Sequence, residues 1–264
     1  MNGVALVSLA VCSFVVGLEH DVCAVPGGVG SSCRPKPTWN IHDDHPCNMD
    51  VFSPEEFASA FSDGFPTYYE KPFVLRNPQR NVVFQELSNR ENAPSLFVGG
   101  TAKLPEANLY SFAKTDVSVE EFINSPEVTS WDYADETLYM LTSIDDFSAY
   151  VPPPGQAKIL DTRIGIGSLG SGVQWHRHGP GFCEVTHGRK HWLLTDSVTQ
   201  PFYDHKRPSR HWFEYMFSTY QESKIWECTL HPGDAIYFPD RWWHTTVNLD
   251  AYTSFVTIFY DVKG

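Results

Sequence analysis

Gly172-Val173-Gln174-Trp175-His176-Arg177-His178-Gly179-Pro180-Gly181 (GVQWHRHGPG) is the stretch on which the reading of this chain turns. On extended backbone, residues i and i+2 share a face, so His176 and His178 project together while Trp175 and Arg177 project the other way. Taken alone, an His-x-His pair most often marks packed or surface histidines, and His187, His191, His205, His211 and His231 crowd the same half of the chain. A metal needs a third donor from a neighbouring strand. His244, in Arg241-Trp242-Trp243-His244, is the natural candidate. Two ligands from one strand and one from a distant strand make a facial set that leaves positions open on the metal.

The surroundings read as short strands punctuated by turns. Thr137 to Leu141, Ile164 to Gly167, Lys190 to Leu194 after the Gly188 turn, Thr229-Leu230, Ala235 to Phe238, Thr245 to Val247 and Tyr252 to Phe259 are the strand candidates. Many short strands in series predict a sandwich or barrel, the jelly roll among them. The half before residue 136 is α+β. Ser53-Pro54-Glu55-Glu56 predicts a capped helix with proline in its first turn, and Ser118 to Phe122 repeats the device. Pro72 to Leu75 reads as a buried strand ended by Asn77-Pro78. No catalytic constellation is visible in that half. The cluster His42-Asp43-Asp44-His45 stands in a Pro/Gly-rich lead-in without strand or helix context and reads as a solvated loop.

The 264 residues allow one substantial domain. A formal charge of −13 argues against a nucleic-acid binder, because phosphate contacts need a basic surface. The first seventeen residues carry no charged side chain and are too short for a comfortable membrane span. They read as a secretory leader cleaved after Gly17, with Ala24 as the second choice. No later apolar run is long enough to span a bilayer, so no membrane span is expected after cleavage. Cleavage after Gly17 leaves Cys23, Cys33, Cys47, Cys183 and Cys228. The secretory compartment permits disulfides, the odd count leaves one thiol over, and the pairing is open. The expected organisation is a leader over 1–17, an irregular Cys/Pro/Gly-rich lead-in over 18–50, an α+β part over 51–135 and a β core over 136–264.

The order His-x-His, turn-then-lysine strand, Pro-Gly-Asp turn and Trp-Trp-His resembles the JmjC family of cupin-like, double-stranded β-helix oxygenases. The residues that carry the resemblance run from Gly172 to Trp192, including Gly188-Arg189-Lys190. Tyr237-Phe238-Pro239-Asp240-Arg241-Trp242-Trp243-His244 and Asn248-Leu249-Asp250 continue it, with Thr137-Leu138-Tyr139 and, more loosely, Lys71 to Leu75. The resemblance implies a jelly roll in which His176 and His244 are metal ligands and His178 stands where the family has Asp or Glu. Lys190 matches the lysine that pairs with the distal carboxylate of 2-oxoglutarate, and Tyr139 a tyrosine that bonds the same group. Val173 replaces a threonine of related hydroxylases, and Asn248 has no assigned role. The implied cofactors are Fe(II), or another divalent metal such as Zn, and 2-oxoglutarate if the chain is active. A leader on such a domain points to the branch of the family in the endoplasmic-reticulum lumen.

Three imidazoles can hold a divalent metal, but replacing the carboxylate leaves the centre one unit less negative and removes anionic donation to iron. Two functions follow. One is an Fe(II)/2-oxoglutarate-dependent protein hydroxylase, with histone demethylation set aside because the leader denies a nuclear site. The other is a regulatory or interaction protein of the lumen, a catalytically inactive jelly-roll scaffold in signalling and metabolism that keeps the shell of the site, metal-binding or metal-free, without turnover. Either implies a protein partner or protein substrate.

Overall fold

A computed structural model describes residues 38–261, apart from 44, 67–68, 98–100, 106–113, 125–138, 143, 145, 154, 156–157, 199, 205–206 and 221–223. The expected leader, the lead-in as far as residue 37 with Cys23 and Cys33, and Thr137-Leu138 lie outside the described residues. In chain order the elements are β1 (Asp50–Phe52), α1 (Pro54–Ala60), β2 (Phe73–Arg76), α2 (Val82–Leu87), β3 (Thr101–Pro105), β4 (Lys114–Ser118), α3 (Val119–Asn124), β5 (Tyr139–Thr142) and β6 (Ile159–Gly167). There follow β7 (Gly181–His187), β8 (Lys190–Thr195), α4 (Ser209–Tyr215), β9 (Trp226–Leu230), β10 (Asp234–Phe238), β11 (Trp243–Asn248) and β12 (Thr253–Tyr260).

Local chemistry accounts for the first helix. The Glu56 N–H donates to Ser53 Oγ at 3.2 Å and the Ser53 N–H to the Glu56 carboxylate at 2.7 Å, a closed capping box with Pro54 in the first turn. The expected second helix is α3, where the Glu121 N–H donates to Ser118 Oγ.

Seven strands form one sheet in the order β1-β2-β10-β7-β12-β6-β5, and three form a second in the order β11-β8-β9. β3 and β4 form a separate two-stranded sheet, and among the described residues every strand pairing is antiparallel except β1 with β2. This is a jelly roll, mainly β, as expected. Gly188 makes the turn from β7 into β8 at φ +67°, where a Cβ would meet Tyr252 O at 2.4 Å.

Alternate residues of each strand serve different layers. In β10, Ala235 and Tyr237 pack with Phe57, Phe84 and Phe122 of the helices, while Ile236 and Phe238 enter the space between the sheets with Val185, Trp192, Leu230 and Phe255. In β8, Trp192 and Leu194 face that same space, and Leu193 packs outward with Trp212 and Phe213 of α4 and with Trp39 and Ile41. Both faces of these strands are covered, so β8, β10 and β11 are buried throughout and show no polar-apolar alternation.

Two features tie the layers together. Glu184 of β7 is fully buried and binds Arg80 at 2.5 Å, Asn81 Nδ2 at 2.9–3.0 Å and the Tyr150 hydroxyl at 2.9 Å. Burial, and then the Glu184 charge, raises the Tyr150 pKa well above the usual phenol value. Cys47 is disulfide-bonded to Cys228 of β9, 181 residues away. Asn48 clamps the same strand, its N–H donating to Glu227 O at 3.0 Å and its Oδ1 accepting the Glu227 N–H at 2.9 Å. Cys183 is a buried free thiol, its pKa pushed up to about 11, mainly by burial. Among the described residues no helix is long and apolar enough to cross a membrane.

Candidate metal centre

The segment before His178 lies along β11 as an irregular edge. Asn248 N–H donates to Ser171 O at 2.7 Å, Thr246 N–H to Val173 O at 3.0 Å, and His176 and His244 exchange backbone bonds at 3.0 and 2.9 Å. Such close pairing needs Gly172, because a Cβ there would stand 1.9 Å from Thr246 O. The alternation expected of the extended segment holds. Trp175 packs outward against Trp212 with ring centroids 5.0 Å apart, and the Arg177 guanidinium lies over Trp243. His176 and His178 turn the other way, toward His244.

The three rings form one cluster, with centroids 5.2, 4.1 and 4.7 Å apart and one ligand atom from each within 4.8 Å of the others. In each ring Nδ1 faces a backbone carbonyl: Gln174 O at 2.8 Å for His176, Gly179 O at 2.8 Å for His178 and Trp242 O at 2.9 Å for His244. A carbonyl can only accept, so each Nδ1 carries the hydrogen and each Nε2 presents a lone pair. The rings are neutral at physiological pH. Burial, then the charge of His178, pushes His176 down to about 3; burial, then His176 and His178, lowers His244 well below the ordinary value; and burial lowers His178.

Two of these bare nitrogens, His178 Nε2 and His244 Nε2, are 3.2 Å apart. Facing lone pairs at that distance repel, and a cation between them removes the repulsion. The spacing suits two imidazoles sharing a metal at bonds of about 2.0–2.1 Å. Carbonyl-backed, Nε2-presenting histidines are also the usual outer-shell arrangement of metal ligands. The donor set therefore fits a divalent transition metal. His244 is buried, whereas His176 and His178 are partly exposed and form the open flank. Trp192 and Phe238 stack on His244 at 5.6 and 5.3 Å, and Phe238 and Phe259 meet His178 edge-on at 5.2 and 5.0 Å.

Lys190 is buried on the same face of β8 as Trp192, and its charge is felt by His176. Its Nζ donates to Asn248 Oδ1 at 3.0 Å and sits 4.2 Å from the Phe255 ring centroid. Asn248 passes the chain on, its Nδ2 donating to Ser171 Oγ, which donates to Ser168 O. Burial lowers the Lys190 pKa to about 8, with Cys183 opposing, so the ammonium stays charged at neutral pH. Asn248 had no sequence-level role because its meaning depends on the register that sets Lys190 opposite it. Tyr139 is placed by its backbone, at the start of edge strand β5 opposite Gly167.

A family described as Cupin-like domain matches residues 70–264. JmjC domain-containing protein 8 of Rattus norvegicus is 34% identical over 206 residues, covering 72% of this chain and 74% of that protein. JmjC domain-containing protein 8 of Homo sapiens is 32% identical over 261 residues, covering 92% and 91%. Lysine-specific demethylase JMJ21 of Arabidopsis thaliana is 25% identical over 225 residues, covering 65% of this chain and 24% of that protein.

Proposed function

The chain belongs to the cupin-like (JmjC) domain family, and from that premise we propose that it holds one divalent metal on His176, His178 and His244 and acts as a 2-oxoglutarate-dependent protein hydroxylase in the lumen of the endoplasmic reticulum. The observation that carries this reading is the convergence of three neutral imidazoles, each with Nδ1 tied to a backbone carbonyl and Nε2 turned to a common point. Iron with 2-oxoglutarate and dioxygen would supply oxidative hydroxylation of a C–H bond, releasing succinate and carbon dioxide; zinc would bind without redox chemistry.

The chain's own residues do the rest. Lys190 offers a buried ammonium to a dianion's distal carboxylate, and Asn248 and Ser171 hold that ammonium in place. Tyr139 is the second candidate for that carboxylate. Trp192, Phe238 and Phe259 keep water from the inner side of the cluster, and a protein substrate would approach the open flank of His176 and His178. The Cys47–Cys228 bond supports the compartment, because such bonds persist where the surroundings are oxidising.

A second reading is favoured by one residue. His178 replaces the family's carboxylate, which keeps metal binding and weakens oxygenase chemistry, and so points to a regulatory or interaction protein of the lumen. Conversion of 2-oxoglutarate to succinate separates the two, and metal content tests the site itself. Wild-type protein is expected to hold about one metal in this cluster, lost on His176→Ala/His244→Ala, and wild-type protein with none here would sink the hydroxylase and leave only a metal-free scaffold. Succinate formation by wild type, abolished in Lys190→Met, supports the hydroxylase. Its absence in wild type with gain in His178→Asp supports the regulatory reading.

A further inference from the structure

The lead-in ends against the outer face of the small sheet, the face opposite Trp192 and His244. There His45 of the lead-in, His191 of β8 and Glu227 of β9 come together beneath Trp39, and none belongs to the first cluster. His191 is fully buried, with Nδ1 2.9 Å from Thr229 Oγ1. Its Nε2 is 3.6 Å from Glu227 Oε2, too long for a hydrogen bond, and both atoms are buried without a hydrogen-bond partner. The His45 ring lies 4.9 Å from that of His191 and stacks on Trp39 at 4.3 Å, with 9° between the planes. His45 Nε2 is also buried and without a hydrogen-bond partner. A neutral imidazole always keeps one ring nitrogen with a lone pair, so both histidines can act as donors to a metal. Burial lowers both imidazoles' pKa values, which keeps them neutral and able to act as ligands.

Buried polar atoms without partners are unfavourable, and three in one patch call for a common partner. We propose that His45, His191 and Glu227 form a second divalent-metal site, of the zinc type, which staples the lead-in to the small sheet. Two histidines and a glutamate are a zinc donor set. The 3.6 Å between His191 Nε2 and Glu227 Oε2 is near the spacing of about 3.3–3.5 Å that bonds of about 2.0–2.2 Å require around a tetrahedral ion. Among the described residues, the first cluster alone has three donors all within 4.8 Å of one another, so metal capture here draws His45 inward. His45 is free to follow. Its segment has no regular secondary structure, and sliding the ring in its own plane preserves the Trp39 stack. Cys47, two residues further on, already pins the segment to β9 beside Glu227, which shortens the search.

The test compares zinc bound by the full-length, disulfide-intact protein and by His45→Ala at one buffered free zinc concentration, with near-UV circular dichroism confirming the fold. Wild type is expected to hold about one equivalent more than His45→Ala. The result is a difference, so it stands whether or not the first cluster is loaded. In the His176→Ala/His244→Ala background about one equivalent should remain and be lost on adding Glu227→Gln. Equal zinc in wild type and folded His45→Ala overturns the proposal.

Discussion

Replacing Lys190 by methionine removes a charge that the fold carries against its own stability. Burial is the main cause that lowers the ammonium from its usual 10.5 to about 8. At about 1.4 kcal/mol per pKa unit, holding the charged form at neutral pH costs about 3 kcal/mol. Leaving Asn248 Oδ1 without its 3.0 Å donor offsets about 1 kcal/mol of the gain on removal. Metal-free Lys190→Met should therefore be more stable than wild type by about 2 kcal/mol at pH 7. The pH dependence has a definite sign. The folded pKa lies below the unfolded one, so between about pH 8 and 10.5 the unfolded chain holds the extra proton and wild-type stability rises with pH. The variant lacks this rise, and its advantage shrinks across that window. Urea denaturation followed by tryptophan fluorescence, with chelator, at pH 7 and at about pH 9.5 reads both effects. A variant less stable than wild type at pH 7, or one with the same pH slope, would refute the reasoning. Metal with 2-oxoglutarate should reverse the ranking, because the ligand stabilises only the chain that binds it.

Removing the disulfide as Cys47→Ser/Cys228→Ser should lower stability by about 2–5 kcal/mol, since the bond closes a separation of 181 residues; an unchanged urea midpoint would contradict it. Glu184→Leu strands the buried Arg80 guanidinium and should cost about 3–5 kcal/mol in thermal or urea unfolding, whereas a neutral result would mean that Arg80 finds water. Gly172→Ala drives a methyl into Thr246 O and should part the His176 segment from β11. Metal affinity, read by competition with a chromophoric chelator, should fall on the order of 10–100-fold, and unchanged affinity in folded protein would show that the close approach is dispensable.

What could be read in advance was local or carried by short motifs. The Ser53–Glu56 cap depends on residues three apart, and the shared face of His176 and His178 depends on residues two apart. His244 could be added because Trp242-Trp243-His244 belongs to a recognisable order along the chain. What escaped was set by long-range packing. β7 runs through the middle of the large sheet with Phe182, Cys183, Val185 and the polar Glu184 all buried, so no alternation marked it as a strand. α4 has Pro208 at its N-cap and no capping side chain, so nothing announced its start. The partners of Lys190 and Cys47 depend on register and chain return across 58 and 181 residues. His45 was expected to be solvated, and the Trp39 stack that covers it joins residues of a loop with no periodicity.

Strand β8 has a consequence for how this protein can vary over generations. Lys190 and Trp192 point into the space between the sheets, while His191 points out beneath the lead-in. Inserting or deleting one residue ahead of Lys190, with the strand re-pairing in place, would exchange the two faces. The imidazole would then enter the interior and the ammonium would be carried to the outer layer. A two-residue slip keeps the faces but sets Trp192 where Lys190 belongs. Length changes that loops absorb freely are therefore closed to this strand, and its two faces must be inherited together.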